Sequence, residues 1–222
     1  MALTQEQVVT RAVELMAEAG LEALTLRRLA TELGVSAPTL YWHVRNKREL
    51  LDLMAEALVA RAGRTTAPAP GQPWWEWLAE RARLQFRALI SHRDAALVVA
   101  GNRPTEATLP DIEEVLASLV AVGFPAPEAL RVVLTIGHFV IGCAVERQAE
   151  EARSVDPGRD TRLLERARAL PTVRAAITAA GGPGPSAGDA GFEYGLGLLI
   201  DGVRAKHAAL LSATPGRPVP TG

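Results

Sequence analysis

The residues best suited to chemistry lie in residues 25–50, TLRRLATELGVSAPTLYWHVRNKREL. Thr39, Tyr41 and His43 carry groups that hydrogen-bond phosphate oxygens and base edges, and Ala37 and Pro38 beside them offer small apolar contacts. Arg27 and Arg28 precede this group, and Arg45, Lys47 and Arg48 follow it. The stretch holds five Lys or Arg against Glu32 and Glu49, in a chain whose formal net charge is −1. The chemistry implied is recognition of nucleic acid by a local basic patch, not a general coat of positive charge. A charge run is often only a solvated helix face, and Arg48, within reach of nearby acids, fits that plainer role.

Covalent chemistry finds no comparable constellation. His43, His92, His138 and His207 stand in separate segments without partners at metal-binding spacing. Glu113-Glu114 and Glu150-Glu151 are adjacent pairs, which do not face each other on a helix. There is neither a phosphate-cradling glycine loop nor a nucleophile elbow. No catalytic residue, metal or cofactor is expected.

Two short helices must hold the basic group. Thr25 is placed to cap the first, whose Leu26, Leu29, Ala30 and Leu33 recur at helical spacing. Gly34 stops it, because the left-handed conformation past a helix end costs glycine little. Ser36 then caps a second helix with Pro38 in its first turn, where the missing N–H has no helical partner. Leu40 and Val44 face inward, which leaves Ala37, Pro38, Thr39, Tyr41 and His43 outside; Trp42 is expected to be at least partly in the core. This is a helix-turn-helix.

The flanking segments extend the helical pattern. Thr4 and Gln7 form a capping box for a helix running to Ala19, and Asn46 with Glu49 repeats that logic for a fourth helix. Leu50, Leu51, Leu53, Met54, Ala57 and Leu58 give this fourth helix an apolar arc too wide for one partner, so it can touch both domains and act as a lever between them. Residues 63–73, rich in Pro and Ala, mark a boundary. Helices are expected over residues 94–100, 109–122, from Pro127 to near Arg153, over 162–180 and over 190–211, with another opening at Trp74. Residues 181–188 read as a mobile loop and residues from 215 as a disordered tail. The chain is therefore divided into 1–46, which holds the helix-turn-helix, 47–63 as connector, and a larger helical part over 74–214, followed by the tail 215–222.

Composition sets outer limits. A hydrophobic share of 48% in 222 residues is enough for a substantial core. The lone Cys143 excludes an intrachain disulfide and fits a reducing cytoplasm. The first residues are polar and acidic, and no long uncharged apolar run is evident, so neither a signal peptide nor a membrane span is expected. Gly137, Gly142 and Ala144 on one long helix, and Gly195, Gly197 and Gly202 on the last, suggest close approach of helices, since glycine inside a helix costs about 1 kcal/mol.

The run APTLYWHVRNKREL, with TLRRLATELGVS before it, resembles the N-terminal domain of the tetracycline-repressor (TetR) family. FEYGLGLLIDGV near the C-terminus and SHRDAALVVAGNRP resemble the branch of that family whose ligand domain is like that of the tetracycline repressor itself. The resemblance implies an all-α homodimer with an N-terminal three-helix helix-turn-helix domain and a larger helical domain for ligand and dimerisation. It further implies repression from near-palindromic operator DNA, relieved by a small molecule. Arg27, Ala37, Pro38, Thr39, Tyr41, His43 and Lys47 match positions that touch the operator; Ser36 and Trp42 complete the candidate set. Lys47 and Tyr41 suit phosphates, Arg27 and Thr39 phosphate or a base edge, Ala37 and Pro38 a thymine methyl, and His43 either. The rival expectation is a helical interaction or sequestering protein without sequence-specific DNA binding.

The same resemblance implies an effector pocket, with departures. Val99 stands where the tetracycline repressor has a metal-holding histidine, Gly63 and Val115 stand where it has polar drug contacts, and Arg81 replaces a neutral amide. Arg103, Pro104 and Glu146 match. The expected pocket is largely apolar and draws also on Trp77, Gln85, Asn102, His138 and Phe139. Arg81 and Glu146 could instead pair with each other or face solvent. Magnesium-tetracycline is not the expected inducer; an uncomplexed aromatic or polyketide-like molecule is.

Overall fold

A computed structural model describes residues 3–60, 63, 65–152, 157–179 and 189–213. These residues form eleven α-helices and one 3-10 turn, with no strand among them. The expected mobile loop over 181–188 and the tail from 215 lie outside the described residues.

Caps set the N-terminal helices. Helix α1, Gln5–Ala19, opens on the expected capping box: Gln7 N–H donates to Thr4 Oγ1 at 3.2 Å, and Thr4 N–H donates to Gln7 Oε1 at 2.9 Å. Helix α2, Leu26–Glu32, starts at Thr25, whose hydroxyl accepts from Arg28 N–H. It ends where Gly34 takes φ +65°, with Gly34 N–H bonded to Thr31 and Val35 N–H to Ala30. That pair of bonds satisfies carbonyls the helix end leaves open. Helix α3, Ala37–Tyr41, follows Ser36, whose hydroxyl accepts from Thr39 N–H at 3.3 Å. Helix α4, Lys47–Ala60, is capped by Asn46, while Glu49 reaches back to Arg45 N–H at 2.6 Å, one residue earlier than a capping box requires.

Two buried clusters organise the chain. The first joins Val8, Ala12, Leu15 and Met16 of α1 to Leu29, Leu40, Val44, Leu50, Met54 and Leu58. Helix α6, Ala95–Val99, completes it by inserting Ala95 and Val98, although its sequence position places it after the boundary segment. The second cluster is built by α5, Trp74–Ile90, α7, Leu109–Ala121, α8, Ala126–Ala152, and α11, Asp189–Ser212. At its centre Phe86 stacks on Phe192 with ring centroids 4.0 Å apart, and Phe139 lies beyond Phe192 at 5.6 Å. Arg83 on α5 holds Glu193 on α11 through a bidentate pair at 2.8 Å.

Three features depart from the sequence expectations. The single helix expected over 162–180 is two helices, α9, Pro157–Arg168, and α10, Pro171–Ala179. Pro171 cannot donate to the preceding turn and pushes Leu170 out of helical geometry. Helix α8 is long and apolar enough, by composition alone, to cross a bilayer. Here it packs on α5, α6, α7 and α11 and buries Val132, Ile136, Val140 and Ala144. The glycines, finally, divide into two kinds. A Cβ on Gly195 meets Phe139 Cζ at 2.6 Å, so that residue must be small. A Cβ on Gly137, Gly142, Gly197 or Gly202 meets nothing among the described residues, and the same two helices, α8 and α11, carry exposed Leu130, Leu134, Tyr194 and Leu198.

Candidate DNA-binding surface and effector cleft

Leu40 and Val44, 1% and 0% exposed, anchor α3, and burying each side chain contributes about 1.5–3 kcal/mol. Everything else on this short helix faces outward. Ser36, Ala37, Pro38 and Thr39 are exposed, Tyr41 is 51% exposed and Trp42 is 89% exposed. The expectation that Trp42 joins the core is therefore wrong. Two residues along a helix is about 200°, so fixing Leu40 inward turns Trp42 to the opposite side. His43 is half-buried, and its carbonyl accepts from Gln5 Nε2 at 2.9 Å, which ties the end of α3 to α1.

The charges around α3 are sorted by partner. Glu32 is held by Arg11 at 2.8 Å, and that bond keeps its carboxyl below the usual carboxylate range. Glu49 is occupied by Arg45 N–H. Arg48 points away, donating to Gly101 O at 2.6 Å and lying 3.5 Å from Asp52, the plainer role anticipated for it. Arg27 and Lys47 are exposed and make no ion pair among the described residues. The two acids of this stretch are thus tied down while these two cations are open to an anionic partner. The Thr39 hydroxyl lies 2.8 Å from that of Ser36, which orients it at the outer face of the first turn.

A second feature is a cleft of about 800 Å³ between α1 and α4 on one side and α5, α6 and α7 on the other. Six of the expected effector residues line it: Arg81, Gln85, Val99, Asn102, Arg103 and Pro104. Five do not. Trp77 and Val115 are buried in the second cluster, His138 and Glu146 are exposed on α8, and Phe139 packs on Phe192. Arg81 and Glu146 do not pair; Arg81 donates to Thr65 O at 3.3 Å, beside the bond from Trp77 Nε1 to the same carbonyl. Burial pushes the Arg81 guanidinium down from its ordinary value.

Sequence reasoning missed the opposite wall, which comes from Gln5, Glu6, Val9 and Thr10 of α1 and from Leu53, Glu56, Val59 and Ala60 of α4. The one available signal was the wide apolar arc of α4. It also missed a set of polar ties around α6. Thr105 N–H donates to Glu56 at 2.8 Å, Asn102 Nδ2 donates to the carbonyls of Leu51 and Val98, and Leu21 N–H donates to Asp94 at 2.7 Å. Gln148 of α8 donates to the carbonyls of Leu89 and His92 and accepts from Ala96 N–H, bridging the end of α5 to the start of α6. Through these bonds the cleft wall and the segment leading from α3 are one connected body.

Comparison with known proteins assigns the arrangement. Residues 8–54 match the profile described as bacterial regulatory proteins, tetR family, and residues 67–207 match the tetracyclin repressor-like C-terminal domain. The chain belongs to the TetR family. It is 38% identical over 205 residues to the tetracycline repressor protein class A from transposon 1721 of Escherichia coli, covering 92% of each chain. Among solved structures it is similar to TetR class A in complex with 5a,6-anhydrotetracycline and magnesium, with a TM-score of 0.69, 32% identity and coverage of 91% of this chain and 99% of that one. It is also similar to ActR of Streptomyces coelicolor in complex with actinorhodin, with a TM-score of 0.76, 28% identity and coverage of 93% and 98%. As a TetR-family member it is an all-α, ligand-responsive, DNA-binding transcription regulator that forms dimers. The family is one of regulators rather than enzymes.

Proposed function

We propose that this protein is a cytoplasmic repressor whose homodimer sits on a near-palindromic operator through α3 and leaves it when a small molecule fills the cleft. Residues 1–46 hold the DNA, residues 47–63 connect, and residues 74–214 bind effector and partner subunit, with no catalytic step. The observation that carries the reading is the double role of α4. Its first residue, Lys47, follows the exposed face of α3, and its later turns form a wall of the cleft. A ligand that displaces that wall therefore tilts the element that sets the position of α3. Arg27, Ser36, Ala37, Pro38, Thr39, Tyr41, Trp42, His43 and Lys47 form the DNA face. Arg81, Gln85, Val99, Asn102, Arg103 and Pro104 form the effector contacts on the ligand-domain wall.

Magnesium lacks its expected ligand in this cleft: Val99 lines it at the position expected to hold the metal, and its side chain has no ligating atom. The effector is an uncomplexed aromatic or polyketide-like compound. Titration with tetracycline plus magnesium, followed by tryptophan fluorescence and operator release, tests this directly. We expect no saturable response at micromolar drug; micromolar binding abolished by EDTA overturns the assignment.

A further inference from the structure

This inference rests on the cleft being the effector site. Arg81 projects from α5 into it and donates one hydrogen bond, to the Thr65 carbonyl. A guanidinium carries five N–H donors, so most of its donor capacity is unmet by the described residues. No carboxylate pairs with it among the described residues, and burial alone acts on its ionisation. Two other arginines of the fold are paired with acids. Arg83, two residues along the same helix, takes Glu193 in a bidentate pair, and Arg11 gathers Glu14, Glu18 and Glu32. Gln85, one turn from Arg81 and on the same wall, has no hydrogen bond among the described residues either. Thr65 Oγ1, on the residue whose carbonyl holds Arg81, is buried without a partner among the described residues.

A half-buried cation without a counter-ion is costly, and a ligand that brings the missing charge recovers that cost on binding. The acids of the cleft do not supply it. Glu56 is engaged by Thr105 N–H, Asp111 has a partner of its own, and Glu6 lies on α1 across the opening. Glu6 and Glu56, on the α1 and α4 wall, repel an anion from that side and so orient it toward α5. The cleft volume, about 800 Å³, falls inside the roughly 300–1,000 Å³ typical of small-molecule sites.

We propose that the effector is an organic acid of ring-system size, whose carboxylate or ionised phenol is held by the Arg81 guanidinium with the Gln85 amide alongside. The planar fork of arginine matches two acceptor oxygens on one group, which an ester or amide of the same compound does not present as a charge.

The test uses a matched pair of dyes on the purified full-length protein: anilinonaphthalene sulfonate, an aromatic anion, and phenylnaphthylamine, its neutral counterpart. Fluorescence titrations are made with the wild type, Arg81→Gln and Arg81→Lys, and a co-crystal with each dye locates it. We expect the anion to bind in the cleft more tightly than the neutral dye. Arg81→Gln weakens the anion at least tenfold and the neutral dye less than twofold, while Arg81→Lys, which keeps the charge and loses the fork, weakens the anion by an intermediate factor. Both dyes seated in the cleft with equal affinity and indifferent to Arg81→Gln overturn the acid assignment and leave the effector site standing. Absence of both dyes from the cleft overturns the effector site itself, and the acid assignment with it. Loss of thermal stability in Arg81→Gln with dye selectivity unchanged reduces Arg81 to a tie for the Thr65 segment and likewise overturns the proposal.

Discussion

Around α3 each side chain has a role set by the partner it has or lacks. Lys47 is exposed and unpaired among the described residues at the first turn of α4, where it can lie over a phosphate. Lys47→Ala is expected to weaken binding to specific and random duplexes alike and to reduce the salt slope by about 1. Thr39 sits in the first turn of α3 with its hydroxyl set by Ser36, so Thr39→Ala is expected to change sequence preference, by about 1–3 kcal/mol at the base it reads. Competition binding at several salt concentrations checks both. Loss of preference in both variants at an unchanged salt slope reverses the assignment. Much at this scale was legible in the sequence: Thr4, Thr25, Ser36 and Asn46 all cap, because a cap needs only local geometry. Trp42 was misread because its size argued for burial, whereas the register fixed by Leu40 and Val44 decided its direction.

The elements show where reading ran out. Gly34 and Ser36 punctuated the helix-turn-helix, and Pro171 punctuated α9 and α10 just as plainly, yet the apolar run across it masked the break. Nothing in the local pattern of α6 revealed that it packs against α4 and joins the N-terminal cluster, since that contact depends on how the chain returns. The cleft was half legible for the same reason: its α5 and α6 wall followed from resemblance, while its α1 and α4 wall is a product of packing. Gly195 offers a test of helix approach. Adding a methyl there forces Phe139 against Phe192, and Gly195→Ala is expected to cost about 1–3 kcal/mol in denaturant unfolding. An unchanged midpoint shows that α11 does not sit this close to α8.

At the scale of the molecule, α8 and α11 carry exposed Leu130, Leu134, Tyr194 and Leu198 together with glycines at which a Cβ meets nothing among the described residues. An apolar surface with room for close approach suits a second copy across a two-fold axis. Light scattering is expected to give twice the 23.6 kDa chain mass at micromolar concentration, and Gly197→Leu is expected to shift the protein toward monomer. A wild-type monomer at that concentration contradicts the arrangement. In such a dimer the two α3 helices are expected to reach adjacent major grooves about 34–36 Å apart, which a single helix-turn-helix cannot do. On that expectation a chain with net charge −1 addresses DNA through two small basic patches held at a fixed spacing.

The central claim is ligand-responsive, sequence-specific DNA binding, and one gel-shift experiment addresses it. Labelled duplex from immediately upstream of the protein's own gene is titrated with the purified protein, with and without a large excess of unrelated duplex. The account predicts a complex that survives the competitor and is lost when an unlabelled copy of the upstream duplex is added. A complex that unrelated duplex removes as readily as the upstream copy, or no complex at low salt, contradicts it and favours a helical interaction protein that has kept the fold without reading DNA.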